Sequence, residues 1–135
     1  MFLGGKSKSQ SRNHIDTLIG RGTRIVGDVT FSGGLRLDGE IQGNVCAAEG
    51  QDCLLIVSEQ ARIEGNVDVA RMIVNGAING AVHSTDFLEL HPNARLVGDV
   101  RYNTIEIQLG AVLRGQLDCL AASGQVTELK LASGQ

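Results

Sequence analysis

A short pattern centred on glycine recurs along most of this 135-residue chain and limits the folds that the chain can adopt. The pattern is isoleucine or leucine, any residue, glycine, any residue, and valine or leucine. Successive glycines lie 16, 22, 15, 18 and 17 residues apart. This spacing is shorter than a helical repeat of about 34 residues or a propeller blade of about 40, and it suits one turn of a β-solenoid. The six central glycines are Gly27, Gly43, Gly65, Gly80, Gly98 and Gly115.

The copy around Gly98 indicates how each turn is built. Three apolar pairs occur there, the members of each pair separated by one residue, and successive pairs begin six residues apart. Because side chains alternate between the two faces of a strand, each pair points inward, while Glu89, Arg95 and Arg101 point to solvent. Three short faces per turn follow. The inward residues of this copy are Leu88, Leu90, Ala94, Leu96, Val100 and Tyr102.

The same register recurs from Leu55 to Val69 and from Ile105 to Cys119, and residues 17 to 25 also fit it. We therefore expect an all-β fold, a three-sided parallel β-helix (β-solenoid) of about six coils over residues 15–120. Residues 1–14 and 121–135 are expected to form flexible tails. With strands stacked at roughly 4.8 Å, the body would be a rod of roughly 30 Å.

The corners between faces call for residues that tolerate unusual backbone geometry. Two coils are shorter between their first and second faces, and Gly39 and Gly76 stand at the tightened points. Glycine adopts positive φ without a Cβ clash, so we expect these glycines and the six repeat glycines to occupy corners. The longest interval, 22 residues, indicates a loop that leaves one corner near residues 48–53.

The two ends of such a rod are open. Each end carries unpaired N–H and C=O groups and a rim of apolar side chains, which favours edge-to-edge association. The sequence shows no obvious helical or aromatic cap that would block it.

Several segments together resemble the bactofilin family over about residues 15–120. They are residues 17–29 (TLIGRGTRIVGDV), residues 35–45 (LRLDGEIQGNV) and the recurring Gly-Asn/Asp-Val. The resemblance implies a right-handed β-helix that polymerises end to end into filaments without nucleotide. It also implies a bacterial cytoskeletal scaffold that serves cell shape, polarity or wall-synthesis positioning, with cell-wall or polarity proteins as possible partners. Right-handedness agrees with the general preference of parallel crossovers.

The resemblance also implies which residues join the subunits, because filaments of this family are joined through their terminal coils. In the final coil, Leu113, Leu117 and Leu120 occupy the corresponding region. In the first coil, Ile19 and Ile25 are the matching apolar positions.

The family commonly begins with a short apolar and basic tail that associates with membrane, and this chain begins in the same way. Residues 1–14 hold three cations and no acid, which leaves 9 cations and 15 acids, or −6, for residues 15–135. A basic tail on an acidic rod fits an anionic lipid surface. The alternative is a solvated tail with no role. The membrane-binding residues would be Met1, Phe2, Leu3, Lys6, Lys8 and Arg12.

Composition argues against several other classes of protein. A pI of about 5.5 and an aromatic content of 3% do not fit a nucleic-acid platform. No apolar run approaches the roughly 20 residues of a membrane span, and no signal peptide is apparent. We therefore expect a cytoplasmic protein, peripheral at the inner face of the membrane. Cys46, Cys53 and Cys119 form no C-x-x-C pair, so neither a disulfide framework, a metal site nor a cofactor is expected.

The competing hypothesis is an enzyme. Hexapeptide acyltransferases also use three-sided β-helices, with a histidine as general base. The sequence alone pairs none of His14, His83 and His91 with an orienting carboxylate, and the coils of 15 to 22 residues depart from strict six-residue spacing. We therefore expect a scaffold and not an enzyme.

Overall fold

The computed structural model describes residues 15–48 and 53–120, and in these two ranges the secondary structure consists of β-strands joined by turns. All strand pairs are parallel, and they stack into six coils. Each coil has three sides, which we number in chain order. The prediction of an all-β, three-sided parallel β-solenoid of about six coils is confirmed.

The first side begins with β1 (Thr17–Ile19), β4 (Gly33–Leu37) and β7 (Cys53–Val57). Three longer strands, β9 (Val67–Val74), β11 (Val82–Leu90) and β13 (Val100–Ile107), give their second halves to the first side and their first halves to the third. The third side also contains β3 (Val29–Phe31), β6 (Val45–Ala47) and β15 (Leu117–Cys119). The second side consists of β2 (Arg24–Val26), β5 (Glu40–Gln42), β8 (Arg62–Glu64), β10 (Ala77–Asn79), β12 (Arg95–Val97) and β14 (Val112–Arg114).

Equivalent residues of successive coils pair in register, so side chains of one kind stack in rows. Leu88 pairs with Met72 on one side and with Ile105 on the other. Ile63 lies in the same way between Ile41 and Ile78. The six inward residues of the copy around Gly98 are all at most 2% exposed, so the predicted register is confirmed there. Stacked rows of this kind form one continuous hydrophobic core.

Among the described residues, a serine is buried in one of the inward rows. Ser84 is fully buried in the row that also holds Phe31, Val69 and Tyr102. Its strand is irregular between Ser84 and Phe87, and the Ser84 hydroxyl lies 3.0 Å from the carbonyl oxygens of both Ala70 and Phe87. The single hydroxyl proton is donated to one of them at a time. Serine thus satisfies backbone acceptors that an aliphatic residue would leave unpaired.

The corner positions require glycine for two different reasons. Gly98 has φ of 138°, and a Cβ there would collide with the carbonyl of Gly80 in the preceding coil, so positive φ and close approach both require glycine. Gly39 and Gly76 do not have positive φ, contrary to our expectation. A Cβ at Gly76 would meet the carbonyl oxygens of Ser58 and Ala61, so close approach of the backbones is the whole reason. In the shorter coils, the corner at Gly39 or Gly76 lies directly against the backbone of the preceding coil.

The asparagine or aspartate that follows four of the repeat glycines also has a structural role. The side chain of Asn44 accepts a hydrogen bond from the backbone N–H of Asn66 at 3.0 Å, and Asn66 accepts one from Ala81 at 3.0 Å. Asp28 and Asp99 act in the same way on the coils that follow them. This ladder along one corner explains the Gly-Asn/Asp-Val pattern, and it is interrupted at Ala81, which has no side-chain acceptor, before it resumes at Asp99.

The loop expected near residues 48–53 falls mainly on residues 49–52, which lie outside the described residues. The tails 1–14 and 121–135 lie outside them as well. Within the described ranges, no helix is long and apolar enough to cross a membrane.

Candidate functional site

Each strand of the first coil has one edge that pairs with no other described strand. Within the described residues, β1 pairs only with β4, β2 only with β5, and β3 only with β6. The opposite edge of each of these strands has backbone N–H and C=O groups available for another parallel or antiparallel strand. The N-terminal end of the rod is therefore a template for strand pairing.

The last coil presents the same arrangement at the other end. Among the described strands, β14 pairs only with β12 and β15 only with β13. The second half of β13 pairs with β11 and with no further described strand. In the part of the chain that the structure describes, both ends of the solenoid thus have unpaired strand edges on all three sides.

Apolar side chains of the last coil are exposed because no described coil covers them. Leu117 is 36% exposed, whereas Val100 and Val82, which precede it in the same inward row, are 0% and 1% exposed. Ile105, Ile107 and Leu113 are half-buried at inward positions where the preceding coil has fully buried leucines. Covering this end with another apolar coil would remove these side chains from water.

The predicted interface residues divide between the two ends. Leu113 is half-buried, and Leu117 and Leu120 are 36% and 39% exposed, so the final coil brings three accessible leucines together. At the other end, Ile25 is half-buried and packs partly against the core. Ile19 is only 9% exposed, so it belongs mostly to the core and offers little surface to a partner.

Four exposed apolar residues in the terminal coils were not predicted. Leu18, Val26, Leu109 and Val112 are 60%, 73%, 94% and 44% exposed. Each stands at an outward or corner position. Val112 pairs in register with Arg95 and ends a row that is mostly charged, so its apolar side chain was an available signal.

The histidines are paired more closely than the sequence indicated. The imidazole of His83 lies 3.3 Å from the carboxylate of Asp68, and that of His91 lies 2.8 Å from Glu89. The sequence alone did not pair either histidine with a carboxylate, because Asp68 is on the neighbouring coil and Glu89 is two residues away on the same side of the strand. Both pairs lie on the outer surface, with the imidazoles 36% and 31% exposed.

Other site chemistry in the described residues is limited. The depression beside His91 holds about 480 Å³, is open to solvent and is lined by Arg36, Asp38 and Ile73 among others. Cys46, Cys53 and Cys119 are free thiols. Within residues 15–48 and 53–120, no group of three or more histidine, cysteine, aspartate or glutamate side chains is placed to hold a metal ion. The predicted membrane-binding residues of the tail lie outside the described residues.

Comparison with known proteins decides the family. A model described as bactofilin, polymer-forming cytoskeletal, matches residues 17–118. The chain belongs to the bactofilin family. The match covers the six coils, so the free edges and exposed leucines described above are those of a bactofilin solenoid. The family model is described as polymer-forming and cytoskeletal, a description that favours a structural role over an enzymatic one.

Two curated relatives are from Myxococcus xanthus (strain DK1622). Bactofilin BacP is 32% identical over 113 residues, which cover 84% of this chain and 45% of BacP. Bactofilin BacO is 26% identical over 103 residues, covering 76% of this chain and 79% of BacO. This bactofilin therefore spans less than half the length of BacP. No solved structure gives a significant match.

Proposed function

We propose that this bactofilin is a scaffold that assembles end to end into filaments without nucleotide. The observation that carries the proposal is that each terminal coil has strand edges on three sides that no other described strand pairs with. The family's description as polymer-forming supports self-association. Because the ends already have the geometry of a solenoid coil, joining them extends an existing stack and needs no hydrolysis to drive a change of shape.

The proposed contact is centred on Leu113, Leu117 and Leu120 in the last coil, with Ile25 and, at its margin, Ile19 in the first. Fully burying an aliphatic side chain contributes about 1.5–3 kcal/mol relative to leaving it exposed. Backbone hydrogen bonds between the free edges add direction and register. Apolar burial and edge pairing together favour a stable joint.

The most direct mutational test places a charge in this contact. Leu117→Arg is expected to abolish filaments and yield small species, because an arginine at an inward row of the joint would be desolvated without a partner. Electron microscopy and sedimentation of the purified protein without ATP or GTP are the measurements. Far-UV circular dichroism should show the β-structure intact, since Leu117 contributes little to the core of a single subunit.

Asp118→Arg provides the matched control for this variant. It introduces the same side chain at the adjacent residue, but Asp118 is 68% exposed and points outward. This variant should assemble like the wild type. Filaments of unchanged length and amount from Leu117→Arg would contradict the proposed contact.

We further propose that the filaments lie at the inner face of the cytoplasmic membrane, where they serve cell shape, polarity or wall-synthesis positioning. The support is the charge distribution, with three cations and no acid in residues 1–14 and a net charge of −6 in the remainder. Anionic lipid attracts such a basic segment. Met1, Phe2 and Leu3 would insert, while Lys6, Lys8 and Arg12 would contact lipid headgroups.

A further inference from the structure

The first side of the last coil has the geometry to receive one more strand. Residues 104–107 of β13 pair in register with β11, and no described strand pairs with their outer edge. Ile105 and Ile107 point inward there and are half-buried. Their partners in the preceding coil, Leu88 and Leu90, are fully buried. A strand with two inward apolar residues, separated by one outward residue, would complete the burial of the two isoleucines.

A segment with this pattern follows the last coil in the sequence. Residues 129–131 read Leu-Lys-Leu, which matches Ile-Glu-Ile at residues 105–107. In the first and last coils, a glycine with positive φ stands three positions after the second inward residue, at Gly22 and Gly110. Gly134 has the same spacing from the second leucine. The segment therefore repeats the sequence pattern of a first side together with the corner that follows it.

The outward residue of this segment has a charge that suits the outer edge of β13. Glu106 is the outward residue of that edge and is exposed, and Glu89 lies beside it in register on the preceding coil. A strand that continues the stack places Lys130 beside Glu106. Opposite charges on adjacent strands stabilise the pairing, whereas a third carboxylate in this column would weaken it.

The backbone hydrogen bonds between coils define the register of such a strand. At the end of the first side, the residue after each inward pair donates its N–H to the carbonyl of the second inward residue in the preceding coil. Gln108 donates in this way to Leu90 at 2.9 Å, and the same link joins each of the five pairs of successive coils. The next N–H in the series belongs to Ala132, and its acceptor is the carbonyl of Ile107.

The connection to the segment is long enough and has a precedent in the same solenoid. Leu129 lies 10 positions after Cys119, the last inward residue of the third side. The corresponding interval between the second and third coils, from Ala47 to Leu55, is 8 positions. Because an extended chain spans about 3.3 Å per residue, either connection easily covers a strand spacing of about 4.8 Å.

We propose that residues 129–132 dock on the outer edge of β13 in the same chain, as a seventh strand of the first side. The two leucines cover Ile105 and Ile107, and removal of these side chains from water drives the docking. The docked strand occupies an edge that the end-to-end joint also needs, so the next subunit must displace it. This effect on assembly rests on the proposed function, whereas docking within one subunit does not.

Hydrogen–deuterium exchange followed by mass spectrometry tests docking without any filament. The full chain is diluted until sedimentation shows no assembly. Fragments that cover residues 129–132 should exchange about tenfold more slowly than in Leu129→Ser/Leu131→Ser, which removes both inward side chains. Val126→Ser is the matched control, because it removes an apolar side chain outside the strand and should keep the protection. Protection that increases with protein concentration would mean docking on another copy, and would overturn docking within the chain.

Charge exchange tests the register. Lys130→Glu should reduce the protection severalfold, because two glutamates would then stand side by side. Glu106→Lys/Lys130→Glu should restore it, since the opposite charges return in exchanged positions. Glu106 is exposed, so far-UV circular dichroism should show the solenoid unchanged in both variants. Equal protection in the wild type and both variants would overturn the proposed register.

Assembly supplies a second readout. If the protection is about tenfold, only about one last coil in ten is ready to join, so a variant lacking residues 126–135 should have a critical concentration about tenfold lower. An unchanged critical concentration would overturn the competition between docking and joining. Sedimentation over a concentration series is the measurement.

The outcomes separate the two proposals. Absence of protection in residues 129–132 of the wild type would overturn the docking and leave the end-to-end proposal standing. Clear protection, together with no filaments from either the wild type or the truncated chain, would overturn the proposed function and support the docking.

Discussion

At the scale of single residues, the effect of a substitution depends mainly on whether the side chain points into the core or out to solvent. Leu96 is 1% exposed in an inward row, whereas the adjacent Arg95 is exposed on the second side. This alternation was predictable because the strand period of two is regular in every coil. Ser84 was not predictable in the same way, since its burial depends on an irregularity of its own strand and on the carbonyl oxygens of Phe87 in that strand and of Ala70 in the preceding coil.

Aspartate substitutions at these two neighbouring residues should have opposite outcomes. Leu96→Asp loses about 1.5–3 kcal/mol of apolar burial and also buries a carboxylate without a partner, so it should unfold the rod or lower its melting temperature severely. Arg95→Asp should change the free energy of unfolding by no more than about 0.5 kcal/mol, as exposed substitutions generally do. Thermal denaturation followed by far-UV circular dichroism, at equal protein concentration, compares them. Equal melting temperatures would mean that the inward and outward assignments are wrong.

At the scale of elements, the sequence predicted the strands better than the way they connect. The three-sided register follows from spacing alone, because parallel coils stack identical positions. The continuity of β9, β11 and β13 around a corner was not predictable, since two or three residues between inward pairs can form either a turn or an extended bend. The mechanism at Gly39 and Gly76 was also missed, because close approach to another coil leaves no local signal.

The residues of the candidate site were also predictable only in part. The position of the terminal coils was predictable from the repeat, and Leu117 and Leu120 are accessible in the last described coil. The pairing of His83 with Asp68 was not, because it joins residues 15 positions apart on neighbouring coils. Leu109, 94% exposed at a corner, follows no repeat rule. To predict contacts between outward side chains of neighbouring coils, the pairing register must therefore be known as well as the residue types.

At the scale of the whole molecule, polymerisation and membrane recruitment should be coupled. Phe2 and Leu3 contribute at most about 1.5–3 kcal/mol each, and each cation near an anionic surface about 1 kcal/mol. Ordering the tail offsets much of this, so a monomer should bind weakly and reversibly. A filament presents many tails together, and its avidity should be far higher.

Co-flotation with anionic liposomes measures this coupling. The wild type should float, whereas Phe2→Ser, a variant lacking residues 2–12 and the assembly-deficient Leu117→Arg should float much less. Phe2→Leu keeps an apolar side chain and should retain most of the binding. Flotation of the truncated protein at wild-type levels would exclude a role for the tail, and full flotation of a proven monomer would exclude avidity.

The central claim is that subunits join by continuing the stack of coils, and fibre diffraction of wild-type filaments grown without ATP or GTP tests it most directly. If each joint is another coil-to-coil contact, the pattern should contain a reflection near 4.8 Å along the filament axis, because every strand lies across that axis. Six coils per subunit should give an axial rise of about 29 Å per subunit. Filaments whose strands run along the axis, or whose rise per subunit is unrelated to six coil spacings, would contradict assembly through the terminal coils.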